Sequence, residues 1–227
     1  MKKILILALL GMAALGTTAQ SLRANAYAGY VFDDSFESFY STNDYYTGTI
    51  KGSFQYGVGL EYVVQKRYGI EVLWLHQSTT APITFQRGVV NPVTTRVFDV
   101  NQDYIMLGLQ SVVPHPNGKI EGFGGILGGV ALINVEDPET SREASTDKFA
   151  WGARLGANFW ATEKIGIKLQ ALLLSVAQAT GGGLYFGTGG SGVAVSSYST
   201  IYQFGLGGGL VFRFGQSTKA AEPTRSY

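Results

Sequence analysis

The chain is predicted to be all-β: an antiparallel, up-and-down transmembrane barrel of eight strands. Three observations predict it. Residues 200–214 alternate strictly, with Tyr202, Phe204, Leu206, Leu210, Phe212 and Phe214 on one face and Gln203, Gly205, Gly207, Gly209 and Arg213 on the other. This is the period-2 pattern of a strand with lipid on one side and a crowded polar interior on the other. A soluble barrel reverses it, with bulk inside and charge outside. Composition agrees: charged residues are 15%, aromatics 13%, and Gly counts 31, against a usual charged share of about a quarter. Outside the N-terminal segment no apolar run approaches the length of a membrane helix. Finally, long polar segments and short turns alternate along the chain, as they do in membrane barrels.

The N-terminus reads as a cleaved signal peptide over 1–19. Lys2 and Lys3 are its basic start, Ile4 to Leu15 its apolar stretch, and Thr17-Thr18-Ala19 its small-residue cleavage site before Gln20. No Cys follows, so a lipoprotein anchor is excluded. The 227 residues less these 19 leave 208, enough for one all-β domain at 20–214. Residues 215–227 are expected to be a short periplasmic tail. Of the 17 Lys and Arg, loss of Lys2 and Lys3 leaves 15 against 16 Asp and Glu. No basic stripe points to nucleic acid. With no Cys there is no disulfide or thiol chemistry.

The first strand, about Leu22–Phe32, puts Ala24, Ala26, Ala28, Tyr30 and Phe32 outward and Arg23, Asn25, Tyr27 and Gly29 inward. Residues 33–50 are polar and read as a long loop. The second strand, about Lys51–Val64, faces Phe54, Tyr56, Val58, Leu60 and Tyr62 outward, with Gln55, Gly59 and Glu61 inward. A tight turn follows at 65–68. The third strand, about Gly69–Gln77, sets Ile70, Val72 and Trp74 against Glu71. Residues 78–98 read as a second long loop, with Pro82 and Pro92 breaking regular strand.

The fourth strand, about Asp99–Val113, has two competing phases. The Ile105, Leu107 and Leu109 face is taken as outward, since Gln102 and Gln110 share the other. Pro114-His115-Pro116-Asn117-Gly118 is a turn. The fifth strand, Lys119 to about Val135, is Gly-rich, with Ile120, Ile126, Val130 and Leu132 outward and Glu121 inward. Residues 136–147 read as the third long loop. The sixth strand, about Lys148–Trp160, faces Phe149, Trp151, Leu155 and Phe159 outward, with Arg154 and Asn158 inward. After a turn at 161–164, the seventh strand, Ile165 to about Val176, puts Lys168 and Gln170 inward. Residues 177–199 read as the fourth long loop, and 200–214 close the barrel. Four long loops and three short turns leave both ends of the barrel on the turn side.

The chain resembles the eight-stranded outer-membrane β-barrel family of the OmpA/OmpX-like type. The resemblance rests on the leader, Ala-Tyr-Ala-Gly-Tyr at 26–30, Phe-Gly-Gly-Ile-Leu-Gly-Gly at 123–129 and Gly-Leu-Val-Phe-Arg-Phe at 209–214. It implies a bacterial outer-membrane location with turns in the periplasm and loops at the cell surface. The partners it implies are outer-membrane lipids, lipopolysaccharide included, the barrel-assembly machinery, and proteins or glycans met by the loops. Tyr30, Tyr62, Trp74, Trp151, Phe159, Phe212 and Phe214 are the expected membrane-interface aromatics.

The inward set holds Arg23, Glu61, Glu71, Glu121, Arg154, Lys168 and Arg213, four cations and three carboxylates. Eight strands enclose a lumen only wide enough for side chains, so Arg–carboxylate pairs are expected to plug it. A small porin or transport channel is the alternative. A second alternative is a lipid A-modifying enzyme: His76-Gln77-Ser78 has the His-x-Ser spacing of outer-membrane lipid A deacylases. A nucleophilic Ser needs a base, and the base an orienting acid. The first acid downstream is Asp99, across a long segment, so no catalytic residue is assigned and the expected role is structural or surface-interacting. No metal or cofactor is expected. Asp33-Asp34 and Asp137 with Glu139 lack the spacing of a Ca²⁺ loop, Gly181-Gly182-Gly183 lacks the Lys and helix of a phosphate loop, and two His without Cys make no zinc site. Phe39, Tyr40, Tyr45 and Tyr46 make the first loop aromatic, a composition suited to partner contacts.

Overall fold

Strict alternation gives each strand two unlike faces, and closing the sheet on itself gives each face its own environment. The computed structural model describes residues 21–41, 44–87, 93–139, 141–176 and 201–214. The leader at 1–19, the segment 177–199, Pro92, Gly181-Gly182-Gly183 and the tail 215–227 lie outside the described residues, as do the side chains of Phe39, Tyr40, Tyr45 and Tyr46. The described residues form ten strands: β1 Ser21–Val31, β2 Asp34–Ser41, β3 Asp44–Ile50, β4 Ser53–Val64, β5 Tyr68–Arg87, β6 Thr94–Pro114, β7 Ile120–Asp137, β8 Arg142–Trp160, β9 Ile165–Val176 and β10 Ile201–Phe214. All pairings are antiparallel. The sheet runs β2-β3-β5-β4-β1-β10-β9-β8-β7-β6, and β5 pairs with β6 to close it.

Ten strands make eight staves. β1 and β2 are one stave interrupted at Phe32-Asp33; β3 and β4 are one stave interrupted at Lys51-Gly52. The two interruptions meet. Asp33 accepts from the Gly52 amide (2.7 Å) and from Lys51 Nζ (3.2 Å), and the Lys51 amide donates to the Thr80 carbonyl (2.9 Å). Asp33 is held below the ordinary carboxylate range, first by the Gly52 N–H and then by Lys51.

The short turns match their sequence signals. Gln65 and Lys66 take positive φ (52° and 57°) between β4 and β5. Gly118 does so (68°) in the Pro-rich turn, where His115 Nδ1 accepts from the Asn117 amide (3.3 Å). Thr162 Oγ1 accepts from the Lys164 and Ile165 amides (3.2 and 3.0 Å) in the third.

Segments whose polar composition predicts long loops carry strand instead. β2 and β3 form a hairpin within 33–50, β5 and β6 pair up to Phe85↔Thr94, and β7 and β8 pair up to Asp137↔Arg142. Pro82 does not break β5: it pairs with Val97, on the face opposite the buried Ala81 and Ile83. Polar composition reported the outward side chains, and a strand with one wet face is polar on that face. At about 3.3 Å per residue and a tilt near 40°, the 20 residues of β5 rise on the order of 50 Å, about twice the roughly 25 Å apolar band of a membrane barrel.

The outer surface divides along that height. Near the turn end the outward residues are apolar: Ile70, Val72, Leu107, Leu109, Ile126, Leu155, Ile167 and Leu169 are exposed. The fourth-strand phase is settled by burial, with Leu107 50% exposed and Met106 1%. On β5 and β6 the belt ends at the pair Trp74↔Ile105. Beyond it polar residues enter, with His76↔Asp103↔Leu132↔Asp147 mixed and Ser78↔Asn101↔Asn134↔Ser145 polar throughout. Inside, the order inverts. Charged side chains fill the turn-end lumen, whereas Leu73, Leu75, Met106, Leu127, Leu174 and, above them, Ala81, Ile83, Phe98 and Val100 form one apolar cluster. The expectation of a polar interior throughout is corrected for this upper part. There the outer face meets water, so the apolar face turns inward.

Candidate functional site

Two constellations stand out, one inside the wall and one on it. Inside, four charges form one register row along the wall, Glu71↔Glu61↔Arg23↔Arg213, and further charges face it across the lumen. Glu61 and Glu71 are direct register partners on β4 and β5, as Arg23 and Arg213 are on β1 and β10. Like charges directly opposite are destabilising on their own. Each pair is bridged. Asn25 Nδ2 donates to Glu61 (3.2 Å) and Glu71 (2.7 Å). Glu121, from β7, accepts from Arg23 Nη2 (3.3 Å) and Arg213 Nη2 (2.8 Å), with Arg23 Nη1 3.0 Å from its other oxygen. Arg154, from β8, reaches Glu71 at 2.5 Å, and Tyr27 donates to the same carboxylate at 2.6 Å. Gln110 donates to Glu61 (2.5 Å), with Lys168 Nζ at 3.7 Å and Arg23 at 3.8 Å.

Aromatic faces cover the cations. Arg213 and Arg23 lie over the Trp160 ring at 3.8 and 5.2 Å, and Lys168 lies 4.6 Å from the Phe123 centroid. Glycine makes the room: a Cβ at Gly59 would run into the Glu71 carboxylate. The side chains of Glu61, Glu71 and Lys168 have no solvent exposure. All seven lumen charges named from sequence thus lie in one network. Tyr27, Asn25, Gln110 and Trp160 complete it; their inward parity was readable, their partners were not.

The sequence-named aromatics are distributed over the outer wall. Tyr62, Phe159, Phe212 and Phe214 lie toward the turn end, and Tyr30, Trp74 and Trp151 toward the other. Tyr30 packs edge-on to Phe32 (5.6 Å), Phe32 on Phe204 (5.8 Å), and Trp151 on Tyr202 (6.4 Å). Above the belt, Arg96 holds Asp137 (3.1 Å) and Glu139 (3.7 Å).

On the wall, the His76 neighbourhood differs from its sequence reading. The acid absent from the downstream stretch arrives from the next strand. His76 Nδ1 lies 2.9 Å from Asp103 Oδ1 and Nε2 lies 3.1 Å from Ser78 Oγ. Ser78 Oγ donates to Asn101 Oδ1 (2.6 Å), and the Trp74 indole donates to Asp103 Oδ1 (3.0 Å). Sequence distance hid Asp103, 25 residues after Ser78, because a long hairpin brings it back into register with His76. Its parity with Ile105 and Leu107 was the available signal.

No family model matches the chain, and no curated protein matches it. Solved structures do match. Neisserial surface protein A is 10% identical, with 87% of this chain and 100% of that one covered at a TM-score of 0.55. OprG, an outer membrane protein of Pseudomonas aeruginosa, is 14% identical, with 88% and 99% covered at a TM-score of 0.54. The fold is therefore that of the eight-stranded outer-membrane β-barrels.

Proposed function

We propose that this protein is a bacterial outer-membrane barrel with a closed lumen, whose work is done on its outer wall and surface-exposed end. The observation that carries the reading is the lumen network, in which Arg23, Arg213, Lys168 and Arg154 engage Glu121, Glu61 and Glu71 across the bore. Side chains fill the space an ion path would need. The signal peptide exports the chain, the assembly machinery inserts it, and lipids including lipopolysaccharide surround the belt. The turns face the periplasm. The tall upper wall then stands at the cell surface, where it is placed for protein or glycan contacts. Tyr30, Trp74 and Trp151 mark the outer interface, and Tyr62, Phe159, Phe212 and Phe214 the inner one.

Planar-bilayer recording tests the closed lumen. The wild-type protein is expected to give no steady conductance steps, and removing the plug with a joint Glu71→Ala and Arg154→Ala change to give some. Regular ion-sized steps from folded wild-type protein would defeat the reading in favour of a small porin.

A further inference from the structure

We propose that Ser78, His76 and Asp103 form a hydrolytic triad on the outer wall that cleaves the acyl ester of a membrane lipid. The inference concerns the wall and stands whether or not the lumen conducts. Four side chains make the site as two cross-strand pairs, His76 opposite Asp103 and Ser78 opposite Asn101. Residues two apart on a strand share a face, and direct cross-strand partners touch. The order Asp103 Oδ1, His76 Nδ1, His76 Nε2, Ser78 Oγ, with steps of 2.9 and 3.1 Å, is the relation of orienter, base and nucleophile. Trp74, also bonded to Asp103, and the flanking rings of Tyr56 and Trp74 (centroids 5.3 and 6.0 Å from His76) hold the imidazole in place.

Within a sheet the backbone amides are spent on the ladder, so a donor for a developing oxyanion has to be a side chain. Asn101 carries the side-chain amide that lies against Ser78. The amide as placed accepts from Ser78 (2.6 Å); turned about χ2, an exchange that leaves its shape unchanged, it presents Nδ2 to the reacting centre and frees the hydroxyl proton for His76.

Position names the substrate class. On β5 and β6 the site lies two residues beyond Trp74 and Ile105, the last apolar pair of the belt on those strands. That is the depth at which acyl chains in the bilayer join their headgroups. Beside Asn101, an open cleft of about 540 Å³ is lined by Asn101, Asn134, Glu136, Glu143 and Ser145, with Val135 and Ala144. It offers a headgroup hydrogen-bond acceptors and donors, while the chain lies on Trp74 and Ile105. In the reaction Ser78 Oγ attacks the ester carbonyl as its proton passes to His76 Nε2. The alcohol leaves with that proton and the acyl group stays on Ser78. Water then attacks the acyl-enzyme, giving its proton to His76, and the fatty acid departs as Ser78 is reprotonated.

The test uses the purified full-length mature barrel in detergent micelles, its folding checked by heat-modifiable gel migration. A fluorophosphonate probe is expected to label Ser78, as located by peptide mass spectrometry. Mixed micelles with phosphatidylethanolamine, and separately with lipid A, are expected to release free fatty acid from at least one; which one distinguishes a glycerophospholipid from a glycolipid source. Ser78→Ala should abolish release, and His76→Ala should lower it by a factor on the order of 10² or more. Asp103 is a positioning residue, so Asp103→Asn should lower release and Asp103→Glu restore part of it. The proposal is overturned if folded wild type releases no fatty acid from either lipid, or if release persists in Ser78→Ala. The four side chains are then only a hydrogen-bonded rim to the belt.

Discussion

Along β5 the outward side chains run Tyr68, Ile70, Val72, Trp74 and then His76, Ser78, Thr80. The inward ones run Gly69, Glu71 and then Leu73, Leu75, Gln77, Thr79, Ala81, Ile83. One strand therefore carries two opposite designs. In the turn-end half the wall is apolar outside and charged inside; in the upper half it is polar outside and mostly apolar inside. The lumen is packed with side chains in both. What changes is the outer solvent. Where hydrocarbon lies outside, burying apolar groups inside brings no advantage, and charges can be kept only in the lumen, paired. Where water lies outside, the ordinary hydrophobic drive returns and turns Phe98, Val100 and Ile83 inward. The belt edge at Trp74 and Ile105 is where the two regimes meet, and the triad sits on that line.

The largest test of this contrast is to remove one partner of the lumen network. Arg154→Ala leaves the Glu71 carboxylate, which has no solvent exposure, without its ion-pair partner, and should cost about 3–5 kcal/mol. Replacing both Glu71 and Arg154 with Leu should cost far less, since the site then resembles the apolar upper lumen. Denaturant unfolding in lipid vesicles measures both. A double variant as damaged as the single one would break the view that the two lumens are interchangeable in principle.

The outer wall gives the next largest effect. Leu107→Arg, in the belt, is expected to destabilise by about 2–4 kcal/mol, and Thr80→Arg, above it, to change stability little. Equal costs at the two positions would erase the belt edge drawn at Trp74. The smallest effect belongs to the exposed stave junction. Asp33 has a depressed folded pKa, because the Gly52 amide and Lys51 favour its charged form. Its contribution is therefore present above the unfolded carboxylate pKa and lost as pH falls through the folded one. Asp33→Asn should lower neutral-pH stability slightly and leave acid-pH stability nearly unchanged, so that the acid side of the stability profile, measured by denaturant unfolding across pH, flattens.

The turn-end half was legible from sequence because its alternation has the membrane sign: Arg23, Glu61, Arg154 and Arg213 could be assigned inward from their apolar neighbours alone. The upper half read as loops at 33–50, 78–98 and 136–147 because it alternates with the opposite sign. Ala81, Ile83, Phe98 and Val100 were spaced by two, yet Thr, Pro, Asp and Asn between them dominated the composition. Asp103 shares the parity of Ile105, so its outward face was readable. That it meets His76 was not.

The sequence by itself determined which face of each turn-end strand looks outward, since a one-residue slip would expose every charge to hydrocarbon. It determined the tight turns as well, from Gly118, the Pro-rich segment and Thr162. Only the tertiary structure decided partners: Arg154 with Glu71, Glu121 between two arginines, Asp103 on His76. The reason is that a period-2 pattern is unchanged when a strand slides by two residues. Parity therefore survives in the sequence, whereas register and stagger, which choose the neighbour, are set only when all eight staves close together.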